Sequence, residues 1–198
     1  MLNTQFDEPN CIKYWSKKNI ISNDWNSIFH FKIKNRTINK IGHFQYNLLN
    51  NLICCKRNLW KWSLSESERC TVCDCLDDYD HFFIKCKFNK SFWIMFSNYM
   101  RYLFNGSNFN ITLEKVICGW NIQNSDFYFA NKLIEIATFA VYKSRLIFYD
   151  TKKVIPISIL FMYEIKKIDQ IISFSNRRVK VTIEKKDLEN CKIYWNIK

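Results

Sequence analysis

Between Cys70 and Cys86 the chain reads Cys-Thr-Val-Cys-Asp-Cys-Leu-Asp-Asp-Tyr-Asp-His-Phe-Phe-Ile-Lys-Cys, and the spacing Cys-x2-Cys-x7-His-x4-Cys constrains the fold more than any other stretch. Two cysteines separated by two residues close a tight turn with converging sulfurs, which suits a tetrahedral zinc ion. A helix opening at His81 carries Cys86 a little more than one turn further on, so both side chains can face the turn holding Cys70 and Cys73. The competing reading is a set of ordinary buried thiols, since free cysteine is among the most buried residue types. Against it, four ligand-type residues share one short segment, and His81 is one of only three histidines in the chain. The ligand set expected is Cys70, Cys73, His81 and Cys86. Cys75 stays outside it, because a Cys-x-Cys step is less favourable for a shared turn. Four protein ligands leave zinc no open position, so the expected site is structural.

At these residues the sequence resembles the zinc-binding domain that lies C-terminal to the reverse transcriptase of non-LTR retrotransposons. That pattern runs Cys-x2-Cys, an acidic loop, His-Leu-Phe, a last cysteine and a downstream aromatic; here these are Asp77-Asp78, Phe82-Phe83 and Trp93. Upstream, Phe44-Gln45-Tyr46 with Leu48 and Leu49, then Leu59, Trp60 and Trp62, resemble the same family's helical lead-in. Phe82 replaces the usual leucine, and Lys87 stands where a proline often follows the last cysteine. Neither is a ligand. The resemblance spans Phe44 to Trp93 and implies a module that holds template RNA or target DNA for a reverse transcriptase domain upstream.

Three glycines and two prolines in 198 residues argue against a turn-rich β fold, and the 48% apolar content suffices for a real core. The fold class expected is mainly α, with a helical lead-in over 1–63, a zinc knuckle and following helix over 64–104, and a C-terminal helical region over 105–198. A net charge of +12 and a pI near 9.3 favour a polyanionic partner. Nine cysteines with no signal peptide point to a reducing compartment, so an intracellular protein, nuclear or cytoplasmic and not secreted, is expected. The longest apolar stretch, Val154 to Tyr163, is too short for a bilayer.

Residues 1 to about 21 read as a cut inside a longer polypeptide, anchored by Trp15. Ser22-Asn23-Asp24 offers caps for a short helix, and Thr37 caps a longer one with Ile38, Ile41, Phe44, Leu48 and Leu49 on its core face. Cys55 to Trp62 forms a helical turn or two whose tryptophans are expected to pack rather than stack on bases. Asn89 caps a helix with a stripe from Phe92 to Phe104, and Asn105-Gly106-Ser107-Asn108 is the clearest loop. A short helix from Thr112 to Cys118 closes at Gly119. The longest helix runs from Ser125 to about Tyr149, and its hairpin partner follows Pro156 to about Ser173. Val179, Val181 and Ile183 alternate as a strand would.

Polymerase chemistry needs a carboxylate pair on a hairpin to hold two magnesium ions. Asp77-Asp78 lies between zinc ligands instead, where a helix cap or support for a ligand is expected, so no catalytic residue is assigned. Lys56, Arg57, Lys61, Lys85, Lys87 and Lys90 are the expected nucleic-acid contacts. The alternative is a protein-interaction module in which zinc staples helices. A transcription-factor finger fits less well, because the paired histidines are missing.

Overall fold

The computed structural model describes residues 9–22, 24–34, 39–107 and 109–174. The order is α1 (Asn10–Ser16), α2 (Trp25–Phe29) running into a π-helical turn (His30–Lys34), α3 (Asn39–Leu49), α4 (Lys56–Lys61), a second π-helical turn (His81–Lys85), α5 (Lys90–Leu103), α6 (Leu113–Cys118), a 3-10 turn (Ser125–Phe127), α7 (Tyr128–Thr151) and α8 (Ile157–Phe174). The protein is mainly α-helical, as its glycine and proline scarcity predicts. Among the described residues the only extended pairing is an isolated antiparallel bridge between Arg69 and Leu76. No helix among them is long and apolar enough to cross a membrane.

Helix α7 is the axis. Ala130, Ala137 and Ala140 let neighbours approach closely, and Leu133, Ile134, Ile136 and Val141 fill the spaces around them, so the helix is buried on nearly every side over that stretch. Lys152, in the left-handed conformation at φ 59°, ends α7. After Pro156 the chain turns back as α8, and Ser144 Oγ donates to the Ile155 carbonyl at 2.7 Å to fix the corner. Phe161 of α8 meets the rings of Phe92 and Phe96 on α5 at 5.9 and 5.7 Å, joining the hairpin to the segment that follows the cysteines.

The N-terminal caps follow the expected chemistry. Asp24 accepts the Ser27 N–H at 3.1 Å and Thr112 Oγ1 accepts that of Lys115 at 3.3 Å, each satisfying an orphan donor of a first turn. Trp15 is fully buried, and its indole donates to the Leu49 carbonyl at 2.7 Å. It sits on α1, a helix that the polar composition of the first residues did not announce. Two boundaries also differ. Ser125 opens a 3-10 turn, with α7 starting at Tyr128, and Asn89 sits at the N-cap of α5 without capping it. The expected cap Thr37 and the strand around Val181 lie outside the described residues.

Candidate metal centre

The chain folds Cys70 to Cys75 into a knuckle. The Cys70 N–H donates to the Cys75 carbonyl and the Asp74 N–H to the Cys70 carbonyl, both at 2.8 Å, with Asp74 in the left-handed region at φ 52°. Backbone amides then point at sulfur: Val72 N–H at Cys70 Sγ and Lys87 N–H at Cys73 Sγ, each at 3.4 Å. The Val72 amide favours the Cys70 thiolate.

His81 arrives from the other side on a single π-helical turn rather than at the head of a longer helix. Asp78 Oδ1 accepts the His81 N–H at 3.1 Å, which starts the turn, and the Cys86 N–H returns to the His81 carbonyl at 2.9 Å, which closes it. A widened turn needs partners for its carbonyls. Asn89 supplies them by donating its side-chain amide to Phe82 and Phe83 at 2.7 and 3.1 Å, and Trp93 Nε1 donates to the same Phe83 carbonyl at 2.6 Å. Hence Asn89 is a clamp on the turn.

The result is a compact donor set. One ligand atom from each of Cys70, Cys73, His81 and Cys86 lies within 4.8 Å of the others. Cys86 Sγ stands 3.8 Å from Cys70 Sγ and 3.7 Å from Cys73 Sγ. Sulfurs each about 2.3 Å from a tetrahedral zinc would be roughly 3.8 Å apart, so the spacing suits that ion. It is far too wide for a disulfide. The hydrogen bond with Cys86 holds the Cys70 thiol well below the ordinary thiol range, helped by the Val72 amide and Arg145 against the effect of burial. The same sulfur contact and burial push Cys86 up. Cys55, buried away from the cluster, is pushed up to about 12 by burial and remains a thiol. Cys75 lies outside the four but is not remote, with its exposed Sγ 3.1 Å from His81 Nδ1.

Residues 9–93 match the family model for zinc-binding in reverse transcriptase. Those residues form a reverse transcriptase zinc-binding domain. No curated protein and no solved structure matches the chain. The cluster within the zinc-binding domain is suited to one metal ion.

Beyond the domain's last matched residue, α7 reaches back to the cluster. Arg145, fully buried, places Nη1 2.6 Å from Cys86 Sγ and Nη2 2.8 Å from Asp77 Oδ1. Tyr149, one turn further on, donates its hydroxyl to Asp77 Oδ2 at 2.6 Å. Neither residue stands out in the sequence. Their signal was an arginine in the middle of an apolar helix with a tyrosine four residues on, a pattern that resembles any amphipathic helix until the fold brings Asp77 opposite.

Asp77 and Asp78 are both committed to structure. Asp77 is fully buried and accepts from Arg145, Tyr149 and the Lys56 amide, while Asp78 accepts from His81 and the Lys18 ammonium, the latter at 3.1 Å. Among the basic residues, Lys56 lies over the Tyr149 ring at 5.2 Å and donates to Ser65 Oγ at 3.4 Å, and Arg57 stands 3.9 Å from Asp78. Lys85 is exposed and paired with Asp80 at 2.5 Å. Lys61, Lys87 and Lys90 are exposed. The packing expected for the tryptophans is corrected: Trp60 is 49% and Trp62 41% exposed. Helix α4 is only six residues long and docks through Asn58, whose amide donates to the Ile53 carbonyl at 2.9 Å and to Tyr79 Oη at 3.1 Å, which leaves the indoles facing outward.

Proposed function

We propose that this chain is a non-catalytic module in which Cys70, Cys73, His81 and Cys86 hold one structural zinc ion, and that the unit so formed binds single-stranded template RNA or target DNA beside a reverse transcriptase domain. Zinc, closed by four ligands, supplies cross-linking and no reactive position. Three thiolates and a neutral imidazole leave the site near −1, so phosphate attraction comes from the cations around it. Asp77 is sealed behind Arg145 and Tyr149, and Asp78 is held by His81 and Lys18, so neither carboxylate is free to hold magnesium.

The observation that carries the reading is the exposure of Trp60 and Trp62 on either side of Lys61, at the C-terminal end of α4, the helix whose first amide is tied to Asp77. Exposed indoles offer faces for bases, and neighbouring lysines neutralise phosphates. Lys87 and Lys90 extend the positive surface beyond the last cysteine, with Lys56, Arg57 and Lys85 able to exchange an internal partner for phosphate. A second reading, docking of a protein partner, is favoured by Leu64, an exposed leucine beside Trp62.

The test is binding of a labelled oligonucleotide across a salt series. Wild type should bind single strands, with each lost phosphate contact flattening the log-log slope by about 0.7. A Lys85/Lys87/Lys90 alanine triple should flatten it, and a Trp60→Ala/Trp62→Ala double should lose affinity by about 1–3 kcal/mol per stacked base with little change in slope. Equal binding by all three proteins would sink the nucleic-acid reading.

A further inference from the structure

We propose that Arg145 is a positioning residue of the metal centre, its guanidinium capping the Cys86 sulfur and held there by Asp77 and Tyr149. The inference rests on the four-residue ligand set proposed above. It assigns to the centre a component from outside residues 9–93.

The geometry is that of an aimed group. Nη1 faces Cys86 Sγ at 2.6 Å, and Nη2 faces Asp77 Oδ1 at 2.8 Å and the Tyr149 hydroxyl at 2.6 Å, with Cys70 Sγ at 3.7 Å. The guanidinium carbon lies 4.8 Å from the Phe82 ring centre, 5.2 Å from that of Tyr149 and 5.9 Å from that of Phe88. Rings on several sides and a carboxylate behind fix the planar fork, so its donors reach the sulfur without a search through rotamers. Lysine carries the same charge on a single flexible point and cannot serve sulfur and carboxylate in one plane.

A donor on a metal-bound thiolate withdraws electron density from sulfur. It thereby shields the sulfur from electrophiles and offsets the repulsion among three thiolates in a buried site. Asp77 in turn keeps the cation from being the only charge in its aromatic enclosure, and Tyr149 bonds the second carboxylate oxygen. The chain Tyr149, Asp77, Arg145, Cys86 is continuous.

Cobalt(II) in place of zinc reports on the sulfur directly, through the energy of its sulfur-to-metal charge-transfer bands. The full chain carrying Arg145→Met with Asp77→Asn removes the guanidinium without stranding a buried carboxylate. It should still take one cobalt, with the bands moved to lower energy, and its metal affinity in chelator competition should fall about 10- to 100-fold. Arg145→Lys should fall between this variant and wild type. Wild-type bands and affinity in the double variant would overturn the proposal, leaving Arg145 as core filling. Should the double variant not fold, the wild-type protein serves: the Arg145 guanidinium protons should shift when cadmium replaces zinc, and unchanged signals would equally overturn it. Cys86→Ser separates the two levels, because undiminished cobalt stoichiometry and bands in that variant would indict the ligand set rather than Arg145.

Discussion

Asn131 grips the backbone of Trp120 from both sides, its Oδ1 accepting the Trp120 N–H and its Nδ2 donating to the Trp120 carbonyl, each at 2.7 Å. The grip ties the segment after α6 to α7 and requires that Gly119 carry no side chain. Gly119 sits at φ +76°, and a Cβ there would lie 2.6 Å from Asn131 Oδ1. Gly119→Ala should therefore cost about 2–4 kcal/mol, combining left-handed strain with loss of the paired bonds. Denaturant titration measures it, and a loss under about 0.5 kcal/mol would show that the segment relaxes freely.

Purified protein should carry one zinc per chain by native mass spectrometry. Serine at Cys70, Cys73 or Cys86, or alanine at His81, should abolish tight binding. Cys75→Ser should keep the stoichiometry, since the Cys75 sulfur contacts the imidazole from outside the donor set. Zinc lost on Cys75→Ser but kept on Cys73→Ser would reverse the assignment. Chelation should also unlock Phe82 and Phe83, whose burial depends on the turn between His81 and Cys86.

A buried charge cluster gives the fold an alkaline signature. Lys32, enclosed on the π-helical turn after α2, donates to the Val116 carbonyl at 3.0 Å and to Gln45 Oε1 at 3.4 Å, and lies 3.9 Å from Glu135 Oε1. Lys132 takes the other Glu135 oxygen at 2.9 Å, so two ammonium groups share one carboxylate. Burial lowers the Lys32 pKa below its ordinary 10.5, with Lys132 adding to the effect and Glu135 opposing it. The unfolded chain then binds more protons between the depressed value and 10.5, so stability rises with pH through that window and is flat below it. The stability of wild type relative to Lys32→Met should accordingly grow as pH approaches 10.5 in denaturant titrations at several pH values. A constant difference would show that the ammonium is not depressed.

Truncation probes how far the metal unit extends. A chain ending at Phe104 keeps every proposed ligand but loses Arg145, Tyr149 and the α7 surface covering Phe44 and Phe82. It should bind zinc at least about 10-fold more weakly than the full chain and expose apolar surface to a hydrophobic dye. Equal affinity and no added dye binding would mean that the first 104 residues are self-sufficient.

The cluster was legible because its contacts are local: a knuckle and one turn bring Cys70, Cys73, His81 and Cys86 together, and spacing records that directly. The cap at Asp24, the stop at Gly119 and the hairpin after Pro156 were legible for the same reason. Arg145 was not, because its importance arises from Asp77 and Cys86, which lie far away in sequence and reach it only through tertiary packing. Lys132 and Glu135 were hidden likewise: charged residues on a long helix read as a solvated face until neighbours enclose it. Trp60 and Trp62 misled in the opposite sense. An indole is usually core, and the shortness of α4, which lets it dock by one asparagine, leaves no trace in composition.

The outward tryptophans also make the molecule its own optical probe. Trp15, Trp25 and Trp93 are buried and Trp120 is half-buried, whereas Trp60 and Trp62 meet solvent most fully, so excitation at the red edge of the absorption band favours the latter pair among the described indoles. Emission from water-facing indole is long in wavelength and is extinguished by a stacked base. An unlabelled strand settling on α4 would dim the red side of the spectrum and spare the blue, while a partner that merely covered the indoles would shift the same light toward the blue without dimming it.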